Sequence, residues 1–350
     1  MKRISIFNDA YKTKYGSMNI VEHGIKDLFI QKYNCEVVIY KPFNYHKIKF
    51  RILKIIIKYL LSPIKVFYLN FKQINDLFFL DQGCSFYKFF YFKKSSILIH
   101  DLIPHLINIG KFENQNKKNY LLYKIILLSL KLHNDYFFIS NTTFNDFKYL
   151  TKKKVNKKII YPLFHIDNGH KYSDNSKIKN YIKKVTIITS NAWYKNDHEI
   201  VDIIKSINNQ KIEINIISLH FNEMINNLKK FNNVNLYFEI TEGEKIDILK
   251  KSHFLIFNSI YEGFGLPIIE GLKFNNIILA RESNHLKNIY NNKIIYFSIK
   301  ELNKLKDNFN ELIESDDLFI QHMNNSKKTY EYILSEYNKQ IKDHFNKFLK

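Results

Sequence analysis

The stretch HFLIFNSIYEGFGLPIIEGLKF, residues 253–274, joins a strand pattern to a helix pattern through a loop with two glycines. HFLIFNS is an almost continuous apolar run with the length of a buried strand. Gly263 and Gly265 allow the backbone to turn with positive φ and to approach a ligand closely. Pro267 suits the first turn of a helix, where no N–H group is needed. The pattern predicts a strand that passes through a tight loop into a helix.

This predicted corner has the features of an anion site. The free N–H groups and the positive dipole end at a helix N-terminus favour a bound phosphate. Glu262 precedes the helix and Glu270 lies in its second turn, so both carboxylates can border one pocket. Because carboxylates accept hydrogen bonds from hydroxyl groups, the corner suits a diphosphate that carries sugars. The alternative is an ordinary strand–loop–helix connection with a solvated Glu270.

Short apolar runs alternate with helical patterns along the whole chain, which predicts an α/β fold with parallel sheets. The strand-like runs of the first half are RISIFND, CEVVIY, DLFFL, SILIHD, DYFFIS and KIIYPL. Those of the second half are VTIITS, IEINIIS, VNLYFE, HFLIFNS, NIILAR and KIIYF. The predicted helices between the latter lie near Asp197–Asn208, Asn222–Phe231, Glu244–Lys251 and Leu266–Phe274.

The polar stretch from His165 to Asn180 lacks periodicity and divides the alternation into two parts. We expect a first domain over residues 1–165, a linker over 166–180 and a second domain over 181–330. Residues 331–350 are expected to form a helix that packs back toward the first domain. Two such doubly wound, Rossmann-like domains would face each other across a central cleft, with ligands at the carboxyl ends of the strands.

YEGFGLPIIEG resembles the Glu-x7-Glu signature of retaining family 4 glycosyltransferases, which have the GT-B fold. The resemblance implies that Glu262 contacts the donor sugar and that Glu270 holds the ribose of the nucleotide. The backbone N–H groups of the intervening turn would hold the sugar and diphosphate; they belong to Gly263, Phe264, Gly265 and Leu266. The second domain would then bind the nucleotide sugar, and the first would lie on the acceptor side.

Three further segments resemble parts of the same family. TSNAWYKN predicts that Lys195 faces the diphosphate and stabilises the negative charge of the leaving group, unless it is an ordinary surface lysine. In ILIHDLIP, His100 is a candidate for a hydrogen bond to the donor sugar or the acceptor hydroxyl, or else a structural histidine of the cleft wall. NDAYKTKYGSMNI places Gly16 near the phosphates.

The expected reaction is transfer of a hexose from a nucleotide diphosphate sugar to a glycan, with retention at the anomeric carbon. GDP-mannose is the first candidate donor, because HDLIP and the helix after it resemble mannosyl-adding members. No Asp-x-Asp motif is present, and the resemblance implies neither a metal nor a cofactor. The leaving phosphate would accept the acceptor proton, while the catalytic candidates Glu262, His100 and Lys195 supply orientation and charge.

The composition of the chain indicates its cellular compartment and the charge of its partners. Cys35 and Cys84 are isolated, which argues for a reducing compartment and against a zinc site. No signal peptide pattern begins the sequence, and no apolar run reaches about 20 residues, so we expect a cytoplasmic protein. The net charge of +21 attracts anions without choosing among nucleic acid, anionic lipid and nucleotide phosphate.

YHKIKFRILKIIIKYLLSPIK, residues 45–65, could form a basic amphipathic helix. One side of this helix would carry a basic stripe formed by Lys47, Arg51, Lys54 and Lys58. The stripe would contact the anionic inner face of the cell membrane. The acceptor would then be lipid-linked, as in O-antigen or capsule biosynthesis. The alternative is a helix whose apolar face is core and whose basic stripe is solvated.

Three other functions compete with this interpretation. One is a soluble glycosyltransferase that acts on a protein or a small molecule. Another, from a different class, is a basic nucleic-acid-binding protein, although no aromatic–basic motif of a known module indicates specific nucleic-acid recognition. The last is an inactive relative of the glycosyltransferases, against which the intact Glu262 and Glu270 argue.

Overall fold

The computed structural model describes residues 3–9, 17–44, 48–112, 115, 120–163, 182–190, 192–209, 211–221 and 223–349. The chain divides into two compact units. The first comprises Met1–Ile166 together with Tyr337–Lys350, and the second comprises Asp167–Glu336. The predicted linker, residues 166–180, and Gly16 lie outside the described residues.

The first unit contains a parallel sheet with the strand order β2-β1-β3-β4-β5. Its central strands are continuous apolar runs because helices cover both faces of such a sheet. The aromatic side chains of Phe7, Phe79 and Phe138 are almost fully buried in its core. The strands are β1 Arg3–Phe7, β2 Glu36–Tyr40, β3 Leu77–Phe79, β4 Ser95–Ile99 and β5 Asp135–Phe138.

Helices connect these strands. They are α1 Ser17–Asp27, α2 Arg51–Ile56, α3 Ser62–Tyr68, α4 Ile103–Asn108, α5 Tyr120–Leu130 and α6 Asn141–Thr151. The π-helical turn Ile57–Leu61 joins α2 to α3, and the 3-10 turn Leu69–Phe71 extends α3. A further π-helical turn, Leu28–Lys32, follows α1, and a 3-10 helix covers Gln82–Phe90.

The predicted strand KIIYPL is wrong. Ile159 forms one isolated bridge with Phe138, supported by hydrogen bonds from Phe138 N–H to the Lys158 carbonyl and from Ile160 N–H to the Phe138 carbonyl. Pro162 has no N–H group to donate to a longer ladder, so the pairing with β5 ends there.

The second unit contains a parallel sheet with the strand order β11-β10-β9-β6-β7-β8. Chain order runs outward in both directions from the pair β6 and β9, so the strand order reverses between them. In open α/β sheets this reversal is where ligands bind. The strands are β6 Lys183–Thr189, β7 Ile212–Ser218, β8 Val234–Phe238, β9 Phe254–Phe257, β10 Ile277–Arg281 and β11 Ile295–Phe297.

The helices of this unit include α9, whose start is fixed by a capping box between Thr241 and Glu244. Short 3-10 turns occur at Trp193–Lys195, Asn227–Lys230 and Ile299–Glu301. The α-helices are α7 Asp197–Ile207, α8 Glu223–Asn226, α9 Glu242–Lys251, α10 Leu266–Lys273, α11 Asn284–Tyr290, α12 Leu302–Glu314 and α13 Asp316–Leu349.

Helix α13 contributes residues to both units, because the division falls between Glu336 and Tyr337. In the first unit, the Phe345 ring stacks on Phe137 with centroids 5.6 Å apart and meets the Phe29 ring edge-on at 5.1 Å. Tyr337 and Ile341 are also buried. The end of α13 is therefore part of the core of the first unit.

The predicted α/β class with two doubly wound parallel sheets is confirmed. Among the residues that the structure describes, no helix combines the length and the apolar character needed to cross a membrane.

We expect Gly271→Ala to lower the free energy of unfolding by about 1–3 kcal/mol, the usual cost of overpacking a core. A Cβ atom at this position of α10 would lie 2.8 Å from Leu255 Cδ2 and 3.0 Å from Ile278 Cδ1. The matched control is Gly243→Ala in α9, where a Cβ meets only the Thr241 hydroxyl at 4.0 Å. Urea unfolding measures both variants, and equal stability of the two would contradict this close packing.

Candidate active site

Two loops meet at the carboxyl edge of the second sheet. Strands β6 and β9 pair directly, with Val185 opposite Phe254 and Ile187 opposite Ile256. The segments that follow them are therefore neighbours, and the Ile260 N–H donates a 2.8 Å hydrogen bond to the Tyr194 carbonyl. Residues 192–196 and 258–265 therefore lie side by side at the point where the strand order reverses.

A charged pair joins the two loops at this surface. Lys195 Nζ lies 2.6 Å from Glu262 Oε1, and the two side chains are only 11% and 18% exposed. The Ser259 hydroxyl donates to the same carboxylate oxygen at 3.1 Å. Lys195 Nζ also lies 5.1 Å from the centroid of the Phe257 ring, a cation–π distance. The structure thus brings together two residues that were predicted from separate motifs.

A second polar network holds the Lys195 loop in place. The Asn258 amide donates to the Asn196 carbonyl at 3.1 Å and to Glu199 Oε2 at 3.2 Å. Arg281, at the end of β10, pairs with the same Glu199 carboxylate. Asn196 has a left-handed backbone with φ 52°, a conformation that asparagine tolerates better than most residues. The network fixes the turn between β6 and α7 and therefore the position of Lys195.

The glycine loop turns at one glycine rather than two. Gly265 has φ +84° and precedes α10, whereas Gly263 does not adopt positive φ, contrary to the expectation for the pair. Phe264 is buried and its ring lies 6.2 Å from that of Tyr290. The Phe264 side chain is therefore part of the packing around the loop. Pro267 lies in the first turn of α10, as predicted.

Glu270 is held by a lysine from the preceding helix. Lys245 Nζ, in α9, lies 3.0 Å from both Glu270 carboxylate oxygens and 2.8 Å from Glu242 Oε1. Burial by itself would lower the pKa of Lys245, but the charges and hydrogen bonds of Glu270 and Glu242 outweigh it and raise the pKa. Lys245 is therefore a fixed cation next to the predicted ribose-binding carboxylate.

Several residues of this site were not predicted from the sequence, among them Lys245, Asn258, Glu199 and Arg281. The sequence does single out Arg281 as a candidate, because it is one of three arginines in the chain and ends a predicted strand. Lys245 carries none, since its partner Glu270 lies on a different helix and the pairing depends on how α9 and α10 pack.

His100 follows β4 in the first unit and is held on several sides. Its Nε2–H donates to the Leu80 carbonyl at 2.9 Å, and its backbone N–H donates to Gln82 Oε1 at 3.0 Å. Burial lowers the pKa of His100, against the opposing effects of the Leu80 carbonyl and Asp101. A neutral imidazole that donates through Nε2 keeps Nδ1 as a hydrogen-bond acceptor, which suits a hydroxyl partner.

A group of ionisable side chains lies where the strand order of the first sheet reverses, between β1 and β3. Lys58 Nζ is 3.7 Å from Asp9 Oδ2, and the Asp9 N–H donates to Cys84 Sγ. Asp81 caps the turn after β3 by accepting from Gly83 N–H, and burial raises the pKa of Asp81 to about 6. Of these residues only Lys58 was predicted as functional, as part of the basic stripe of residues 45–65 and not of a site at this edge of the sheet.

The part of the chain that the structure describes contains no group of three or more His, Cys, Asp or Glu side chains suited to a metal ion. Gly16 lies outside that part, so its predicted place near the phosphates stays a prediction.

We expect Lys245→Met to destabilise the protein, because Glu270, a largely buried carboxylate, would lose its main counter-charge. Adding Glu270→Gln should restore stability, with a coupling energy of about 1–3 kcal/mol in a double-mutant cycle by urea unfolding. The control cycle uses Lys250 and Asp247, an exposed pair on the same helix. Its coupling should be near zero to about 0.5 kcal/mol. Equal coupling energies in the two cycles would contradict a stronger interaction of Lys245 with the buried Glu270 carboxylate.

Solved structures show the same fold along the whole chain. HepE from Anabaena, in complex with UDP and glucose, has a TM-score of 0.72 at 12% identity over 99% of this chain and 100% of that chain. Sucrose-phosphate synthase from Thermosynechococcus elongatus has a TM-score of 0.74 at 9% identity over 99% of both chains. A TarM mutant from S. aureus, in complex with UDP and other ligands, has a TM-score of 0.69 at 12% identity, covering 97% of this chain and 99% of that one. At these identities the comparison establishes the fold alone, which is GT-B with two Rossmann-like domains.

Sequence comparison finds one similarity, which lies in the second unit. A search among curated proteins found no match. The family described as "Glycosyl transferases group 1" matches residues 172–331. This range contains β6, the Lys195 turn and the whole corner from Glu262 to Glu270, so the similarity to this family lies in the second unit.

Proposed function

We propose that the protein is a retaining glycosyltransferase that moves a hexose from a nucleotide diphosphate sugar to a glycan acceptor. The observation that carries this proposal is the corner between Glu262 and Glu270. It combines a helix N-terminus, a left-handed Gly265 and two carboxylates that are each held by a lysine. The crystallised complex of HepE with UDP-glucose, a protein of the same fold, supports a nucleotide sugar as the donor.

The diphosphate would bind at the start of α10. The backbone N–H groups of Gly263, Phe264, Gly265 and Leu266 would hold it together with the sugar, because the first N–H groups of a helix have no partner within the helix. Glu270 would accept hydrogen bonds from the ribose hydroxyls, and Lys245 would fix the direction of its carboxylate. Glu262 would accept from the hydroxyls of the donor sugar.

Lys195 would stabilise the leaving group. As the bond between the anomeric carbon and the phosphate oxygen breaks, negative charge grows on the nucleoside diphosphate, and a fixed ammonium group stabilises that charge. The acceptor oxygen bonds to the anomeric carbon on the same face, and its proton passes to the departing phosphate oxygen. This route needs no metal and no cofactor. His100 would accept a hydrogen bond from a sugar or acceptor hydroxyl through Nδ1.

We further propose a hexose donor, with GDP-mannose as the first candidate and UDP-glucose among the alternatives. The proposed acceptor is a lipid-linked glycan of O-antigen or capsule biosynthesis, at the cytoplasmic face of the cell membrane. A soluble glycosyltransferase that acts on a protein or small molecule is the alternative within the same activity.

Calorimetry with GDP, UDP, dTDP and ADP tests the donor site. We expect one nucleotide to bind with micromolar Kd and Glu270→Ala to weaken it about tenfold or more, because two hydrogen bonds to the ribose are lost. Glu242→Ala is the matched control, since Glu242 also pairs with Lys245 but is half exposed. If none of the four nucleotides binds the wild-type protein, the proposed function is wrong.

Turnover separates the role of Lys195 from simple binding. With the donor found by calorimetry, Lys195→Met should lower kcat for donor hydrolysis or transfer about 10²–10³-fold, the usual cost of removing a transition-state charge contact. Lys205→Met, at an exposed position of α7, is the control and should leave kcat unchanged. If Lys195→Met has the same kcat as the wild-type protein, Lys195 does not stabilise the leaving group.

A further inference from the structure

The helical segment from Arg51 to Phe71 is apolar on its outer side. Eight of the ten residues from 52 to 61 are apolar, yet none of these ten side chains is buried. Ile52 is 75% exposed and Leu60 is 64% exposed. A helix that is apolar on most of its surface is ordinarily buried in a protein core or in lipid. Among the described residues of its own unit, none buries these side chains.

An aromatic cluster continues the same surface. Phe67 lies 5.7 Å from Phe71 and 6.0 Å from Phe92 between ring centroids, and Tyr68 lies 6.4 Å from Phe71. All four rings are exposed, Phe71 to 73% and Phe92 to 70%. Contiguous exposed apolar patches of this kind mark interaction sites on soluble domains. We call the exposed apolar and aromatic side chains of residues 52–71, together with Phe92, the apolar surface.

The other side of the segment is anchored to the first unit. Ser62, Pro63, Val66 and Leu69 are buried beneath it. The Tyr87 hydroxyl donates to the Lys58 carbonyl at 3.3 Å, and Tyr59 meets the Phe86 ring edge-on at 5.2 Å. The exposed side chains therefore belong to a packed helical segment rather than to a loose loop.

This arrangement corrects the predicted basic stripe. Helix α2 begins at Arg51, and Lys47 lies outside the described residues. Lys58 turns inward to Asp9 at 3.7 Å. The outward side is therefore mainly aliphatic and aromatic, with basic residues at its border, and it is not an apolar face packed into the core.

The charged residues of this segment and its flanks have one sign. Residues 41–75 contain eight lysines and arginines and no aspartate or glutamate. Lys72 Nζ lies 5.7 Å from the Tyr68 ring centroid, and Lys65 Nζ lies 5.1 Å from that of Phe43. Lysines of this kind lay their aliphatic stems along an apolar surface and keep the charged amine at its edge, where it can meet anionic groups.

These observations favour an anionic membrane as the occupant. Two copies meeting through this surface would bring the lysines of one copy, such as Lys54, Lys65 and Lys72, close to those of the other, which disfavours association. A nucleic acid would neutralise the charge of the lysines but would leave Ile52, Leu60 and Ile64 exposed to water. A bilayer interface with anionic headgroups covers the aliphatic side chains and attracts the lysines together.

We propose that the apolar surface inserts into the headgroup region of an anionic bilayer and attaches the first unit to it. The proposal goes beyond the glycosyltransferase activity and does not depend on it, because it rests on a surface that contains none of the donor-site residues.

Vesicle co-sedimentation of the full chain tests this attachment. The wild-type protein should sediment with equimolar phosphatidylcholine–phosphatidylglycerol vesicles and remain in solution with pure phosphatidylcholine. Replacing Ile52, Leu60 and Ile64 together by Gln should weaken binding about tenfold or more, since three exposed apolar side chains are lost. Replacing Lys54, Lys65 and Lys72 together by Gln should weaken it by a similar factor that shrinks at high salt.

The control replaces two exposed apolar residues of the second unit, Ile182 and Phe221, by Gln, and should bind vesicles like the wild type. Wild-type protein that stays in solution with both vesicles, or Gln variants that bind unchanged, would overturn the proposal. A second result would also overturn it. In that case light scattering would show that the wild-type protein is a dimer that does not bind vesicles, and that the Ile52, Leu60 and Ile64 variant is a monomer. Circular dichroism confirms folding, and calorimetry with the nucleotide reports separately on the donor site.

Discussion

The direct pairing of β6 with β9 is the constraint on which the candidate site depends. These strands are distant in sequence but adjacent in the sheet, and the chain proceeds away from them in opposite directions. Their connections therefore leave a crevice at the carboxyl edge, where no helix crosses over. Lys195 leaves one strand and Glu262 leaves the other, so their 2.6 Å contact is a product of sheet topology.

The charges of the site are arranged before any ligand arrives. Glu262 and Glu270 each face a lysine, and Glu199 balances Arg281 behind them. Pre-oriented charges need little reorganisation during a reaction, which is the main source of electrostatic stabilisation in enzymes. A bound diphosphate would add negative charge near Lys195, so part of the ion pairing with Glu262 would be exchanged for pairing with the ligand.

Most strands could be predicted because parallel strands are buried on both faces and read as short apolar runs. The Gly265–Pro267 corner was predictable for a similar local reason, since few residues suit a left-handed turn before a helix. KIIYPL fails because Pro162 ends a pairing that its apolar residues alone would permit. The pairing of Lys245 with Glu270 and the exposure of Ile52 depend on how elements pack, and no local pattern encodes them.

The burial of Phe345 among Phe29, Phe78 and Phe137 has a consequence for synthesis on the ribosome. Domains generally fold as units while the chain emerges, with the N-terminal one first. Here the sheet of the first unit is translated early, but its core lacks one large aromatic side chain until α13 has been translated as far as Phe345. The second unit, whose segment ends at Glu336, can complete its core sooner. The order of folding would then be the reverse of the order of translation.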